Sequence, residues 1–146
     1  MHDEISLGHF VRGMLLLDGT VVLQALAQIA LGRVTMALPL RMRDASQRSP
    51  LWLAYVVSCV LVLMLGHIAQ VVLWAALYFH LNELGSFASC VYFSLASFTT
   101  VGASELVLSP EHRIAGALEA ATGMLMFGWS TALLVQVVQR SEGRGR

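Results

Sequence analysis

"SLASFTTVGASELVLSP", residues 94–110, decides how this chain is read. It starts as an apolar helix, breaks at Thr99-Thr100-Val101-Gly102, turns polar and restarts at Pro110. Apolar runs at 51–81 and 114–138 flank it. Irregular backbone at membrane depth leaves carbonyls unpaired, which is tolerated only where protein buries them or water and ions reach them. One solution is a re-entrant segment: a short helix, 87–98, too short to cross a bilayer, followed by extended backbone that aims carbonyls at a dehydrated cation. The partial negative charge at that helix's carboxyl end would favour the same cation. The other solution is a capped loop carrying an amphipathic helix on the membrane surface.

Composition makes lipid the solvent. Hydrophobic residues are 57% of the chain and charged residues 12%, against roughly 25% charged in soluble domains. Net charge is zero and every cationic side chain is Arg, with no basic block for nucleic acid and no acidic tail. Cys59 and Cys90 stand alone in apolar segments, neither a disulfide framework nor a metal site. At 146 residues the chain is one domain, too small to enclose a transport path unless copies assemble.

Three runs are long enough to span. Residues 14–38 are apolar but interrupted by Asp18, Gln24, Gln28 and Arg33; a cleavable signal peptide ending near "ALA" at 25–27 is the alternative there. Residues 51–81 would make a helix of about 46 Å, longer than the roughly 30 Å hydrocarbon core, so it must tilt or project. The third run follows "SPEHR", with Ser109 as N-cap, Pro110 at the first helical position and Glu111 at the positive end of the dipole. Arg33, Arg41, Arg43 and Arg48 flank the first connection, and Arg140, Arg144 and Arg146 end the chain. By the positive-inside rule those regions are cytoplasmic and the N-terminus is outside. The expected organisation is an N-terminal helix and connection at 1–50, a pore unit at 51–140 and a tail at 141–146.

The residues of this region resemble a known family. "YFSLASFTTVGASE", 92–105, resembles the pore helix and selectivity filter of tetrameric potassium channels, whose filter reads Thr-Val-Gly-Tyr-Gly-Asp. "TGMLMFGWSTALL", 122–134, resembles their inner helix, with glycines at Gly123 and Gly128. His67, Gln70, Trp74, Ala75 and Tyr78 are similar to an outer-helix pattern of small bacterial ion-channel and two-pore-domain-like proteins that carry an extra N-terminal helix. The resemblance covers about ninety of the 146 residues. It implies an all-α membrane protein with three transmembrane helices, outer helix 51–81, pore helix 86–98, filter 99–105 and inner helix 110–140. Three further copies would complete a homotetrameric pore in a bacterial inner membrane, with the C-terminus cytoplasmic. The implied filter is Thr99, Thr100, Val101, Gly102, Ala103, Ser104 and Glu105. Potassium or sodium would be held by oxygens of Thr100, Val101, Gly102 and Ala103, with no other cofactor. Glu119, Ser97 and Trp74 would support the filter.

The filter also departs from the family. Ala103 and Ser104 stand where the family has Tyr and Gly. Ala103 still offers a carbonyl, but the aromatic buttress is gone. A non-Gly residue held at positive φ costs on the order of 1–2 kcal/mol. The resemblance therefore implies a cation pathway with weakened potassium selectivity. A channel-derived, non-conducting subunit or sensor is the alternative. A third reading is a proton or divalent-cation path through Glu105 and Glu119. Four copies of Glu105 would form an acidic outer ring that concentrates cations.

Other polar residues have two readings each. Glu119, about two turns into the third span, either braces the filter through Ser97, Thr99 or a neighbouring amide, or is a protonated acid making one structural hydrogen bond. His67, Gln70, Trp74 and Tyr78 share a helical face; they act as packing glue against Gln24 and Gln28, or His67 senses pH. Trp52 and Tyr78 suit the two membrane interfaces. Gly116, Gly123 and Gly128 permit close packing, and the resemblance adds a gating hinge at Gly123 and Gly128. A voltage sensor, a cytoplasmic ligand-binding domain and an enzyme are not expected, since no arginine ladder, appended domain or nucleophile–base pair is legible.

Overall fold

The computed structural model describes residues 18–19, 21–22, 24–26, 29–33, 49–102 and 105–142. Ala103 and Ser104 of the expected filter, Gln28, most of the first connection with Arg41, Arg43 and Arg48, and the residues beyond 142 lie outside that set.

Helix α1, Pro50–His80, starts where Ser49 accepts a hydrogen bond from the Leu51 N–H and Pro50 takes the first helical position, where its missing N–H costs nothing. It stops at Leu81–Asn82, where Asn82 adopts φ 55°, a left-handed conformation that asparagine tolerates. Gly85 follows at φ 69°. Ser86 then caps helix α2, Phe87–Phe98, by accepting from the Ser89 N–H at 3.1 Å. Helix α3 is Arg113–Glu142. It begins three residues beyond Pro110: the Ser109 hydroxyl, the expected cap, turns to Glu83. Residues 110–112 form a turn instead.

Contacts fix the topology. Along α2, Cys90 and Phe93 pack with Trp74, Ala75 and Tyr78, Ser94 meets Val71, and Phe98 packs on Val71 and faces His67. α2 thus descends antiparallel to α1. On the other side Gly116 lies against Phe93, Glu119 against Ser94 and Gly123 against Phe98, so α3 runs in the same sense as α2. The carboxyl end of α2 therefore sits level with the middle of both long helices. α2 does not lie across the helix ends, as a surface-lying amphipathic helix would.

Helical residues between 18 and 33 pack on the same frame. Gly19 lies near Leu73, Gln24 bonds Gln70, and Leu31 joins Tyr55, Cys59 and Leu63, so this segment is antiparallel to α1. The chain is all-helical among the described residues. Two helices, Pro50–His80 and Arg113–Gln139, are long and apolar enough to cross a membrane. Large apolar side chains stay exposed along them, including Leu61, Leu65, Met124 and Leu125. Both cysteines are buried and free.

Candidate functional site

The site begins where α2 runs out of helix. Thr99 caps it in a right-handed conformation, its N–H bonding the Leu95 carbonyl. Thr100 then has φ 62° and Gly102 φ 81°. A β-branched residue at positive φ is a true outlier, costing on the order of 1–3 kcal/mol, and such strain collects at functional sites. Two bonds hold the outlier in place: Thr100 N–H to Ser97 O at 2.9 Å, and Gly102 N–H to Ala96 O at 3.0 Å. Both N–H groups point back at the last turn of α2. In a trans peptide the carbonyl is antiparallel to the N–H, so the Thr99 and Val101 carbonyls point away from α2. Among the described residues, no hydrogen bond ends on the carbonyls of residues 99–102. The Thr99 hydroxyl is used locally, donating to Leu95 O at 2.7 Å.

This turn is backed by close packing rather than by a loose loop. A Cβ at Gly123 would lie 1.9 Å from the Phe98 carbonyl oxygen and 2.8 Å from its carbon. Only glycine lets α3 approach the α2 backbone this closely. At Gly128 an added Cβ would meet nothing within 4 Å. Phe98, Phe127 and His67 form an aromatic cluster beneath the turn, with centroids 4.8–6.0 Å apart, and Met126 closes it.

Glu119 is fully buried and its carboxyl joins all three helices. The Tyr78 hydroxyl of α1 donates to Oε2 at 2.8 Å, and Oε1 is bonded to the Ser94 hydroxyl of α2. Ser94 also reaches the Val71 carbonyl of α1, at 2.8 Å. The hydroxyl that meets Glu119 is therefore Ser94, one turn before the expected Ser97, while Thr99 spends its hydroxyl on its own helix. Tyr78 is a buried partner of Glu119 and not an interfacial anchor. Trp74 is also fully buried, packed with Tyr78 and Phe93 behind α2.

A second buried polar chain lies deeper. Gln70 Nε2 donates to Gln24 Oε1 and Gln24 Nε2 to Ser130 Oγ, both at 2.9 Å, and Ser130 Oγ lies 3.0 Å from His67 Nε2. His67 and Gln70 thus tie the N-terminal helical segment to α1 and α3. Ser130 was not legible as their partner, since one serine in an apolar helix carries no pattern.

Beyond the end of α1, Glu83 holds the segment between α2 and α3. Its carboxylate accepts from the Ser109 N–H at 2.7 Å and the Ser109 hydroxyl at 2.8 Å, and lies 2.6 Å from His112 Nδ1. Burial pushes the Glu83 carboxyl up, but these three partners together outweigh it and hold it below the usual range. Ser109 and Glu83 meet at one ring nitrogen of His112, so the cluster latches the connection to the start of α3. Glu105 is exposed. Among the described residues no three His, Cys, Asp or Glu side chains converge as metal ligands. The oxygens available at the turn are carbonyls and hydroxyls, ligands that suit hard cations.

Neither the curated proteins nor the solved structures offer a match. The ion channel family matches residues 51–140, a stretch that takes in α1, α2, the turn after it and α3 almost to its end. With more than half of the chain matched and a membrane-compatible helical frame around a strained mid-depth turn, the chain belongs to the ion channel family, within the potassium-channel superfamily.

Proposed function

We propose that four copies of this chain form one cation-conducting pore in a bacterial inner membrane, passing potassium, and sodium with weaker discrimination. The carbonyls of residues 99–103 and the Thr100 hydroxyl would replace the hydration shell of the ion. The observation that carries this reading is the turn at 99–102. The Thr100 and Gly102 N–H groups are spent on α2, which leaves the Thr99 and Val101 carbonyls on the opposite side, at the negative end of a helix that stops level with the middle of its neighbours. In this arrangement the segment at 18–33 is a third transmembrane helix, and the C-terminus is cytoplasmic. Gly123 and Gly128 are the glycines at which α3 would bend on opening.

Potassium and sodium flux into liposomes holding the purified protein tests the proposal, with Gly102→Asp as control. Gly102 sits at φ 81°, where any L side chain is strained, and an aspartate there would also place charge in the path. Flux in the wild type that the variant abolishes supports a filter-borne path. The potassium-to-sodium ratio then measures what Ala103 and Ser104 do to selectivity. Absence of flux at several pH values and both membrane polarities favours the non-conducting alternative.

A further inference from the structure

The contacts of Glu119 contain a proton count. The Ser94 hydroxyl lies 2.8 Å from the Val71 carbonyl and is also hydrogen-bonded to Glu119 Oε1. A hydroxyl carries one hydrogen, whereas a backbone carbonyl and an ionised carboxylate can only accept. If Glu119 were ionised, two acceptors would compete for that single hydrogen, and one buried oxygen–oxygen contact would hold no proton. A proton on Oε1 resolves the conflict. Glu119 then donates to Ser94, Ser94 donates to Val71 O, and Tyr78 donates to Glu119 Oε2.

We propose that Glu119 is a neutral acid whose proton completes a hydrogen-bond chain from Tyr78 through Ser94 to the Val71 carbonyl, and that losing this proton unlatches α2 and the filter turn beyond it. The surroundings agree. The groups bonded to Glu119 are the Tyr78 hydroxyl from α1 and the Ser94 hydroxyl from α2, and the Cys90 thiol packs in the same cluster as Tyr78. In the connections, the acid Glu83 and His112 are paired with each other. On α3 the nearest cation is Arg113, nearly two turns away, whose Nε bonds Leu108 O. No cation among these compensates a buried carboxylate, and uncompensated burial of a charge is costly. On ionisation the Ser94 hydrogen turns to Glu119 and leaves the Val71 carbonyl facing a bare oxygen. Ser94 lies within two turns of the Thr99–Gly102 backbone, so a shift of α2 against α1 is felt there.

The functional consequence rests on the proposed cation pore, but the proton itself can be observed without any flux. Infrared spectra of the full chain in lipid near neutral pH should show the C=O stretching band of a buried neutral carboxylic acid. The band should be absent in Glu119→Gln and shifted upward in Tyr78→Phe, which removes the hydrogen bond to the carbonyl oxygen. If Glu119→Gln does not fold, the Tyr78→Phe shift still identifies the acid. A wild type without the band, or a band indifferent to both substitutions, overturns the proposal. In flux, alkaline pH should reduce wild-type transport about tenfold, the equivalent of one buried hydrogen bond of about 1.4 kcal/mol, and Glu119→Gln should remove that pH dependence. A band that behaves as expected in a protein that conducts nothing would sustain the proton and refute the pore.

Discussion

Replacing Gly123 by Ala separates two roles for that glycine by the sign of one number. The new Cβ would sit 1.9 Å from the Phe98 carbonyl oxygen, and carbon and carbonyl oxygen normally meet at about 3.3 Å. About 1.4 Å must be recovered. The obstacle is helix backbone, which cannot rotate aside as a flexible side chain would. Overpacking a close contact costs typically 1–3 kcal/mol, and an unyielding one belongs at the upper end, about 3 kcal/mol. Against it stands the helix preference of Ala over Gly, about 1 kcal/mol. The net loss is about 2 kcal/mol, close to thirtyfold in the folding equilibrium. Gly128→Ala is the internal control, because its Cβ meets nothing within 4 Å, so the helix preference alone should apply and stability should hold or rise. Denaturant unfolding of both variants in one detergent reads the difference, and potassium flux reads whether moving the Phe98 carbonyl disturbs the neighbouring Thr99. Should Gly123→Ala equal or exceed the wild type in stability, the close approach is not what the glycine serves, and a hinge becomes the better account.

The other predictions concern the Glu83 latch, the buried polar chain and Glu105. Glu83 is held below its usual range in the folded protein, so its contribution is present above the unfolded carboxyl value and lost as pH falls through the folded one. Thermal unfolding of the wild type should therefore show an acid limb below about pH 4.5 that Glu83→Gln flattens, with lower stability for that variant near neutral pH. Ser130→Ala should cost roughly 0.6 kcal/mol, and no more than about 1.7, as interhelical bonds in membranes do. Combined with Gln24→Leu, the loss should fall short of the sum of the singles, because both remove one chain. If Glu105 forms an outer ring, Glu105→Gln should lower cation flux at low ionic strength and leave it nearly unchanged near 1 M salt, where the screening length is about 3 Å.

Much of the frame is legible in the residues. The apolar runs at 51–81 and 87–98 form helices, and Thr99-Thr100-Val101-Gly102 ends the second as expected. The start of α3 was less legible. "SPEHR" has every local mark of a helix opening at Pro110, yet the Ser109 hydroxyl that would have served as the cap turns to Glu83, 26 residues earlier. A similar displacement affects Glu119. Its burial and importance follow from a carboxyl in an apolar run, but Ser94 and Ser97 differ by one turn on one helix face, and composition cannot choose between them. Tyr78 misled for the same reason, since an amphipathic ring suits a membrane interface and a buried acid equally well.

What this sequence determined by itself is every feature set by local chemistry: lipid as solvent, the spans at α1 and α3, the short helix between them, and the break that follows it. These depend on residue type and on neighbours within a few positions along the chain. Tertiary structure alone decided which oxygens meet, that Gly123 makes a backbone contact, and that α2 stops level with the middle of the long helices. Those facts depend on the register of one helix against another, and helices of nearly uniform apolarity do not encode register in their pattern. It emerges only when Phe98 packs under Gly123 and the few buried polar groups find the partners that satisfy them.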